Sequence, residues 1–227
     1  TNNPTPMTRP RILINFAITA DGKTSTRAKD PAHFTSKLDL HRLHEIRKQA
    51  DAILVGRGTL EADAMSMTIP AELKPARQPL RCIVSRSGTF DLSHKVFNSQ
   101  GGTVHLLVTD PPADYNPLPY ESAGAVVHQC PLPDFLHRLR TEYNIATLLC
   151  EGGGSLVRAL AEIDAIDEAN LTWAAHTIFG GSEAPTITGA LGPHFPATLH
   201  FALTHFEPLD NGECFLTYER LRASTKP

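Results

Sequence analysis

Short, nearly continuous apolar runs alternate along this chain with stretches whose apolar residues recur every three or four positions, the pattern of buried strands alternating with amphipathic helices. The first run, Arg11–Thr19 (R-I-L-I-N-F-A-I-T), is rich in β-branched side chains and predicts a central strand covered on both faces. Turn chemistry at Ala20, Asp21, Gly22 and Lys23 ends it, and the polar stretch as far as Pro31 reads as loop. Over residues 36–49, Leu40, Leu43 and Ile46 recur at helical spacing behind Ser36, which suits an N-cap, with Asp39 in the capping-box position. Residues 52–55 (A-I-L-V) predict a second buried strand. Gly56, Arg57, Gly58 and Thr59 follow it directly and lead into a short helix through Asp63.

Pro70, Pro75 and Pro79 make residues 65–79 a loop. Strands are predicted over residues 80–84, 103–108 and 125–128, with a proline-rich surface connection at 111–119. A helix over 134–143 turns Phe135, Leu136 and Leu139 inward. Residues 146–150 (A-T-L-L-C) form a further strand, followed by Glu151 and three glycines, then by a helix presenting Leu156, Val157, Leu160 and Ile163. Glu168–Ala174 reads as a strand and Gly180-Gly181 as a turn. Two last strands, 198–206 and 214–218, are joined by Pro208, Asp210, Asn211 and Gly212, which suits an antiparallel hairpin. The predicted fold is α/β, a mostly parallel central sheet with an antiparallel C-terminal hairpin.

Composition narrows the chemistry. A formal net charge of -3 leaves no electrostatic footprint for nucleic acid. No apolar stretch approaches the ~20 residues that span a bilayer, and the polar, proline-bearing start lacks the apolar segment of a signal peptide. The expectation is a cytoplasmic protein with an extended or disordered segment at 1–10, one domain over 11–222 and a tail at 223–227. Cys82, Cys130, Cys150 and Cys214 show no C-x-x-C spacing and read as small buried hydrophobes. His41, His44 and Glu45 share a helical face, but H-x-x-H-E is not the spacing of the known helical zinc motifs, and no metal is expected.

Candidate chemistry concentrates at the glycines. Gly152, Gly153 and Gly154 stand between a buried strand and a helix start; a turn without side chains lets a phosphate approach the backbone, and the helix's first N–H groups and macrodipole favour negative charge there. The residues leave a second reading open, a tight strand-to-helix turn with no ligand. Gly56 and Gly58 make a second turn of the same kind, and α/β sheets put their ligands beyond such strand ends.

Several segments fall in one order: Thr19-Ala20-Asp21-Gly22-Lys23-Thr24, Ala52-Ile53-Leu54-Val55-Gly56-Arg57-Gly58-Thr59 with Asp63, Gln78-Pro79-Leu80-Arg81, Leu149-Cys150-Glu151-Gly152-Gly153-Gly154-Ser155-Leu156, Asp167-Glu168 and Phe179-Gly180-Gly181. Over nearly the whole chain this order resembles the reductase domain of the riboflavin-biosynthesis deaminase/reductase, in the dihydrofolate-reductase-like superfamily. The resemblance implies a dihydrofolate-reductase-like three-layer fold, commonly a homodimer. It also implies NADPH-dependent reduction of the ribosyl group of a 5-amino-6-(5-phosphoribosylamino)uracil-type substrate to ribityl. The H-x-E and P-C-x-x-C segments of the zinc deaminase do not occur here.

By matching position, the resemblance puts Ala17 and Thr19 on the nicotinamide side, and Gly56, Thr59 and Asp63 at the second glycine turn. Gly152, Gly153, Gly154, Ser155 and Leu156 would take the pyrophosphate. Ser85 stands at the end of the third strand, and Arg86 beside it either grips a 2′-phosphate, favouring NADPH over NADH, or is an exposed loop residue. Asp21, Arg47 and Glu151 are the implied substrate contacts; a helix-face ion pair for Arg47 and a helix N-terminal dipole partner for Glu151 are the alternatives. Asp63, Lys23 or a water would deliver the proton. The chain departs from the family at His33-Phe34-Thr35, where Trp-Ile-Thr is common, at Ala64-Met65, in place of Asp-Pro, and at Pro70, in place of an arginine for the substrate phosphate. A reductase of another pteridine- or pyrimidine-like substrate, a non-catalytic nucleotide-binding relative and a nucleotide-sugar or phosphosugar transferase are the rival readings.

Overall fold

A computed structural model describes residues 8–26, 28, 34–189 and 192–222. His33, most of the 1–10 segment and the 223–227 tail lie outside the described residues. The elements run β1 (Arg11–Thr19), α1 (Lys37–Lys48), β2 (Ala52–Gly56), α2 (Arg57–Asp63), β3 (Leu80–Ser85), α3 (Lys95–Asn98), β4 (Val104–Val108) and α4 (Leu118–Ser122). They continue as β5 (Val126–Gln129), α5 (Leu132–Thr141), β6 (Thr147–Gly152), α6 (Gly154–Glu162), β7 (Glu168–Ala174), β8 (His200–Pro208) and β9 (Glu213–Leu221). All the named strands join one sheet in the order β5-β4-β3-β2-β6-β1-β7-β9-β8. Its pairs are parallel as far as β7, and β9 runs antiparallel to both β7 and β8, as the sequence pattern predicts.

Alternation along the strands makes three layers. Ile12, Ile14, Leu54, Cys82, Leu148 and Cys150 face α5 and α6 through Phe135, Leu136, Leu139, Val157 and Leu160. On the opposite face Leu13 and Leu149 meet Ile46 of α1, while Ile53, Val55 and Ile83 meet Leu60 of α2 and Val96 of α3. Cys82, Cys150 and Cys214 are buried and reduced, and Cys130 is half-buried. Burial pushes the Cys150 thiol up to about 12, which keeps it protonated and unreactive.

Local departures from the sequence pattern have visible causes. Ser36 caps α1 by accepting the Leu38 N–H, but Asp39 does not close a capping box: its Oδ1 accepts the Thr172 hydroxyl at 2.6 Å. The Ser36 N–H and Oγ instead donate to the Glu213 carboxylate, each at 2.6 Å. Arg42 reaches from α1 to the carbonyls of Leu171 and Leu216, so polar bonds rather than an apolar stripe dock this end of the helix on β7 and β9. Leu40 is accordingly exposed, and Ile163 is the exposed C-cap of α6.

Candidate active site

The sheet parts at its centre. β1 pairs with β6 only from Arg11 to Ile14, opposite Thr147 to Cys150, and continues to Thr19 beside β7 alone. On its other side β6 pairs Cys150 with Leu54 and Gly152 with Val55, which leaves Glu151 as an extra residue in a bulge. Bulges re-aim side chains at the rims of sheets, and this one turns Glu151 onto α1. A cavity of about 1220 Å³ opens beyond these strand ends, lined by Asn15, Ala17, Leu43, Arg47, Gly56, Arg57, Thr59, Asp63, Ser85, Arg86, Glu151 and residues 152–156 among others. That volume exceeds the ~300–1,000 Å³ of a typical small-ligand site and has room for two ligands side by side.

Both glycine turns meet at its floor. A Cβ on Gly56 would lie 3.8 Å from the Cα of Gly153, and one on Gly153 would lie 3.5 Å from the Cα and N of Gly56. Gly153 has φ +90°, and a Cβ on Gly152 would meet Thr59 Cγ2 at 3.0 Å, so the backbone path and the neighbouring turn both require glycine. Gly154 is glycine for another reason: a Cβ there would fall 2.4 Å from the Gly189 amide nitrogen, where residues 186–189 cross the helix start. Neither α2 nor α6 has a side-chain cap, and the Gly153 carbonyl accepts from the Leu156 and Val157 amides. The Gly154 and Ser155 amides thus belong to the first turn, where N–H groups have no intrahelical acceptor, and both residues line the cavity.

Arg47 and Glu151 form a buried, side-on pair. Arg47 Nε and Nη2 donate to Glu151 Oε1 and Oε2, both at 2.6 Å, and Nη1 donates to the Thr68 carbonyl at 2.7 Å. Their side chains are 8% and 4% exposed, respectively. Burial and the Arg47 charge hold His44, one helical turn away, below the usual imidazole range.

Ala17, Gly56, Thr59, Asp63, Ser85, Arg86, Gly152, Gly153, Gly154, Ser155, Leu156, Arg47 and Glu151 all line this one cavity. Thr19, Asp21 and Lys23 do not. Thr19 is buried and its hydroxyl donates to Asp21 Oδ1 at 2.5 Å, while the Asp21 carboxylate accepts the Phe179 and Gly180 amides at 3.3 and 2.8 Å. Those bonds, the Thr19 hydroxyl first, lower the Asp21 pKa and tie the turn after β1 to the 179–180 turn. Lys23 joins the same turn through its main chain, donating its N–H to Thr19 Oγ1. Ser85 Oγ accepts the Gly88 N–H at 3.1 Å, which shapes the turn carrying the exposed Arg86. Asn15, Leu43, Arg57, Thr109, Asp110 and Leu132 also line the cavity, though the sequence reading assigned none of them to the site. Of these Asn15 left a signal, as the polar residue inside an apolar strand.

The description "RibD C-terminal domain" belongs to a family profile that matches residues 10–215. The chain belongs to the RibD C-terminal domain family. Among proteins of this kind, it is 30% identical over 188 residues to a 2,5-diamino-6-ribosylamino-4(3H)-pyrimidinone 5′-phosphate reductase of Methanothermobacter thermautotrophicus, covering 81% of this chain and 86% of the relative. It is 29% identical over 193 residues to the protein of the same name from Archaeoglobus fulgidus, covering 79% and 86%. The solved Acinetobacter baumannii RibD superposes with TM-score 0.81 at 23% identity, over 95% of this chain and 59% of that one. The RibD C-terminal fold is thus the dihydrofolate-reductase-like arrangement expected from the ordered motifs, and this chain spans about three-fifths of that RibD.

Proposed function

We propose that the chain is an NADPH-dependent reductase of riboflavin biosynthesis that converts the ribosyl group of a phosphorylated ribosylaminopyrimidine to ribityl. The observation that carries this reading is the meeting of the two glycine turns at one cavity floor, each at an uncapped helix start. The residues present fit a dinucleotide: amides of Gly154 and Ser155 for the diphosphate, and for a 2′-phosphate the exposed guanidinium of Arg86 after β3, with the half-buried Arg57, which donates to the Thr89 carbonyl, beside it after β2. Beyond Ile14 the β1 edge that faces β6 carries no strand partner, so the main chain near Ala17 has groups to offer a carboxamide. When bound, reduced nicotinamide supplies a hydride to the carbonyl or imine carbon of the ribosyl group.

The protein's own part is placement and exclusion of water. Glu151, aligned by Arg47, accepts hydroxyl or amino hydrogens of the substrate, and α1 and α2 wall the substrate side through Leu43 and Asp63. Asp63, which lines the cavity, or a water would supply the proton to the heteroatom that becomes the alcohol or amine. The relatives' printed names and the shared family support this substrate class.

We propose further that the working form is a homodimer. β8 is an edge strand of the sheet, and Leu203 and Phe206 on it are 50% and 59% exposed, the kind of edge that a second copy covers. Incubation with NADPH and the ribosylaminopyrimidine phosphate, followed by loss of NADPH absorbance, tests the activity. Substrate-dependent oxidation is expected; no oxidation with either the 2-amino or the 2-oxo pyrimidine contradicts it.

A further inference from the structure

Gln78-Pro79-Leu80-Arg81, one of the ordered motifs of the sequence, lines no part of the cavity. Its first residue grips the chain that backs Arg47. Gln78 Oε1 accepts the Ile69 N–H at 2.9 Å and its Nε2 donates to the Ile69 carbonyl at 2.7 Å, the two-bond exchange that one strand makes with the next. Ile69 is 2% exposed, so water does not stand in for those bonds.

The Ile69 N–H and the Thr68 carbonyl belong to one peptide group, planar and trans. Gln78 holds that group by its hydrogen, and Arg47 Nη1 donates to its oxygen at 2.7 Å. The grip on the N–H therefore sets the direction of the carbonyl. That carbonyl in turn holds one side of a rigid guanidinium whose Nε and Nη2 align Glu151. Met67, just before, is buried with φ +57°, a conformation that a residue other than glycine keeps only where its neighbours hold it. Arg81, at the far end of the motif, supports the same segment. A Cβ on Gly101 would lie 2.8 Å from Thr68 Cγ2 and 3.2 Å from Arg81 Cζ, and Arg81 is tied to the Gly102 and Val96 carbonyls, each at 2.7 Å.

Resting on the proposed reductase reading, in which Glu151 meets the substrate, we infer that Gln78 is a positioning residue: it holds the 68–69 peptide so that Arg47 keeps the Glu151 carboxylate aimed into the cavity. Without the grip the peptide turns, Nη1 loses its acceptor, and the guanidinium rotates together with the carboxylate bonded to it. Among the described residues Gln78 bonds Ile69 and neither glycine turn, so the loss falls on the substrate and spares the cofactor.

The test uses the full chain and whichever of the 2-amino and 2-oxo ribosylaminopyrimidine phosphates the wild type reduces. Substrate Kd is read by calorimetry with NADP+ in the cofactor site, so that nothing turns over, and NADPH Kd and Tm are measured in parallel. Gln78→Met keeps the side chain's size and removes both bonds. It is expected to weaken substrate binding by ~10-fold, about the worth of one hydrogen bond to a charged group, with NADPH Kd changed by less than ~2-fold. Gln78→Glu keeps the acceptor and loses the donor, so a smaller loss in the same direction is expected; this variant carries the comparison if Gln78→Met does not fold. In a Glu151→Gln background Gln78→Met should add less than ~2-fold, because both changes act through one network. Fully additive losses overturn the inference, since Gln78 then works by another route. A lower Tm with substrate Kd unchanged overturns it in favour of a structural role, and equal weakening of NADPH and substrate overturns it as general loosening. All three leave the reductase reading standing. No reduction of either pyrimidine by the wild type, with NADPH bound, removes that reading and this assignment with it.

Discussion

Arg47 and Glu151 lock together side-on at 2.6 Å on both hydrogen bonds, one from the last turn of α1 and the other from a bulge at the end of β6. The pair is almost wholly covered, so its charges depend on each other. Arg47→Met leaves an uncompensated buried carboxylate and is expected to cost about 3–5 kcal/mol in urea unfolding. The double variant Arg47→Met with Glu151→Leu should recover most of that loss while abolishing turnover. A single variant as stable as wild type would mean the pair is not buried in solution.

The close approach of Gly154 to Gly189 makes a second expectation. A Cβ at Gly154 would fall 2.4 Å from the Gly189 amide nitrogen, a distance real contacts do not reach. Gly154→Ala should lower stability by about 1–3 kcal/mol, the range for overpacking, as residues 186–189 are forced off the start of α6. Gly58→Ala, where a Cβ meets nothing within 4 Å, is the control and should change stability by less than about 1 kcal/mol. Thermal unfolding of the two variants distinguishes them.

Stability should also fall in mild acid. His105 Nδ1 and His128 Nε2 lie 3.0 Å apart beneath α5, and burial lowers both pKa values to about 4, with the neighbouring His128 charge adding for His105 and Arg138 adding for His128. The folded-state values lie below the ordinary value of about 6.5, so the unfolded chain binds more protons through this range. The neutral pair's stabilisation is present above about pH 6.5 and is lost as pH falls toward 4, by a few kcal/mol in all at ~1.4 kcal/mol per unit. Asp167, which burial would raise but which its bonds to Arg9 and the Ile12 amide lower on balance, adds a further loss within and below the carboxylate range. Urea midpoints at pH 7.5 and 5 check this, and replacing both histidines by Phe and Leu should flatten the dependence.

Arg86 should set cofactor choice. Its side chain is exposed at the end of β3, where the cavity opens. Arg86→Ala is expected to weaken NADPH binding by ~10-fold and leave NADH binding nearly unchanged, since only the former has a 2′-phosphate to meet a guanidinium. Equal losses for both cofactors would remove Arg86 from 2′-phosphate recognition.

Periodicity exposed most of the fold because both sheet faces are covered: β1, β2, β3, β4 and β6 read as apolar runs, and the helices α5 and α6 as three-to-four spacing. α3 and α4 were illegible, being only four and five residues long and held by tertiary contacts such as buried Val96 and the Tyr120 hydroxyl that accepts the Phe90 N–H. The glycine turns were legible because glycine is demanded by the backbone itself. The bulge at Glu151 was not, since a register shift exists only between two strands. For the same reason sequence could not tell that Asp21 bonds the 179–180 turn, or that Arg47 reaches Glu151.

Calorimetric titration of the full chain with NADPH tests the central claim most directly, because the two adjoining glycine turns are the feature on which the reductase reading stands. Saturable one-to-one binding is expected, accompanied by a Tm that rises with NADPH concentration as for a ligand held by the folded state alone. Absence of binding heat and of any thermal shift at NADPH concentrations well above those in cells would contradict it.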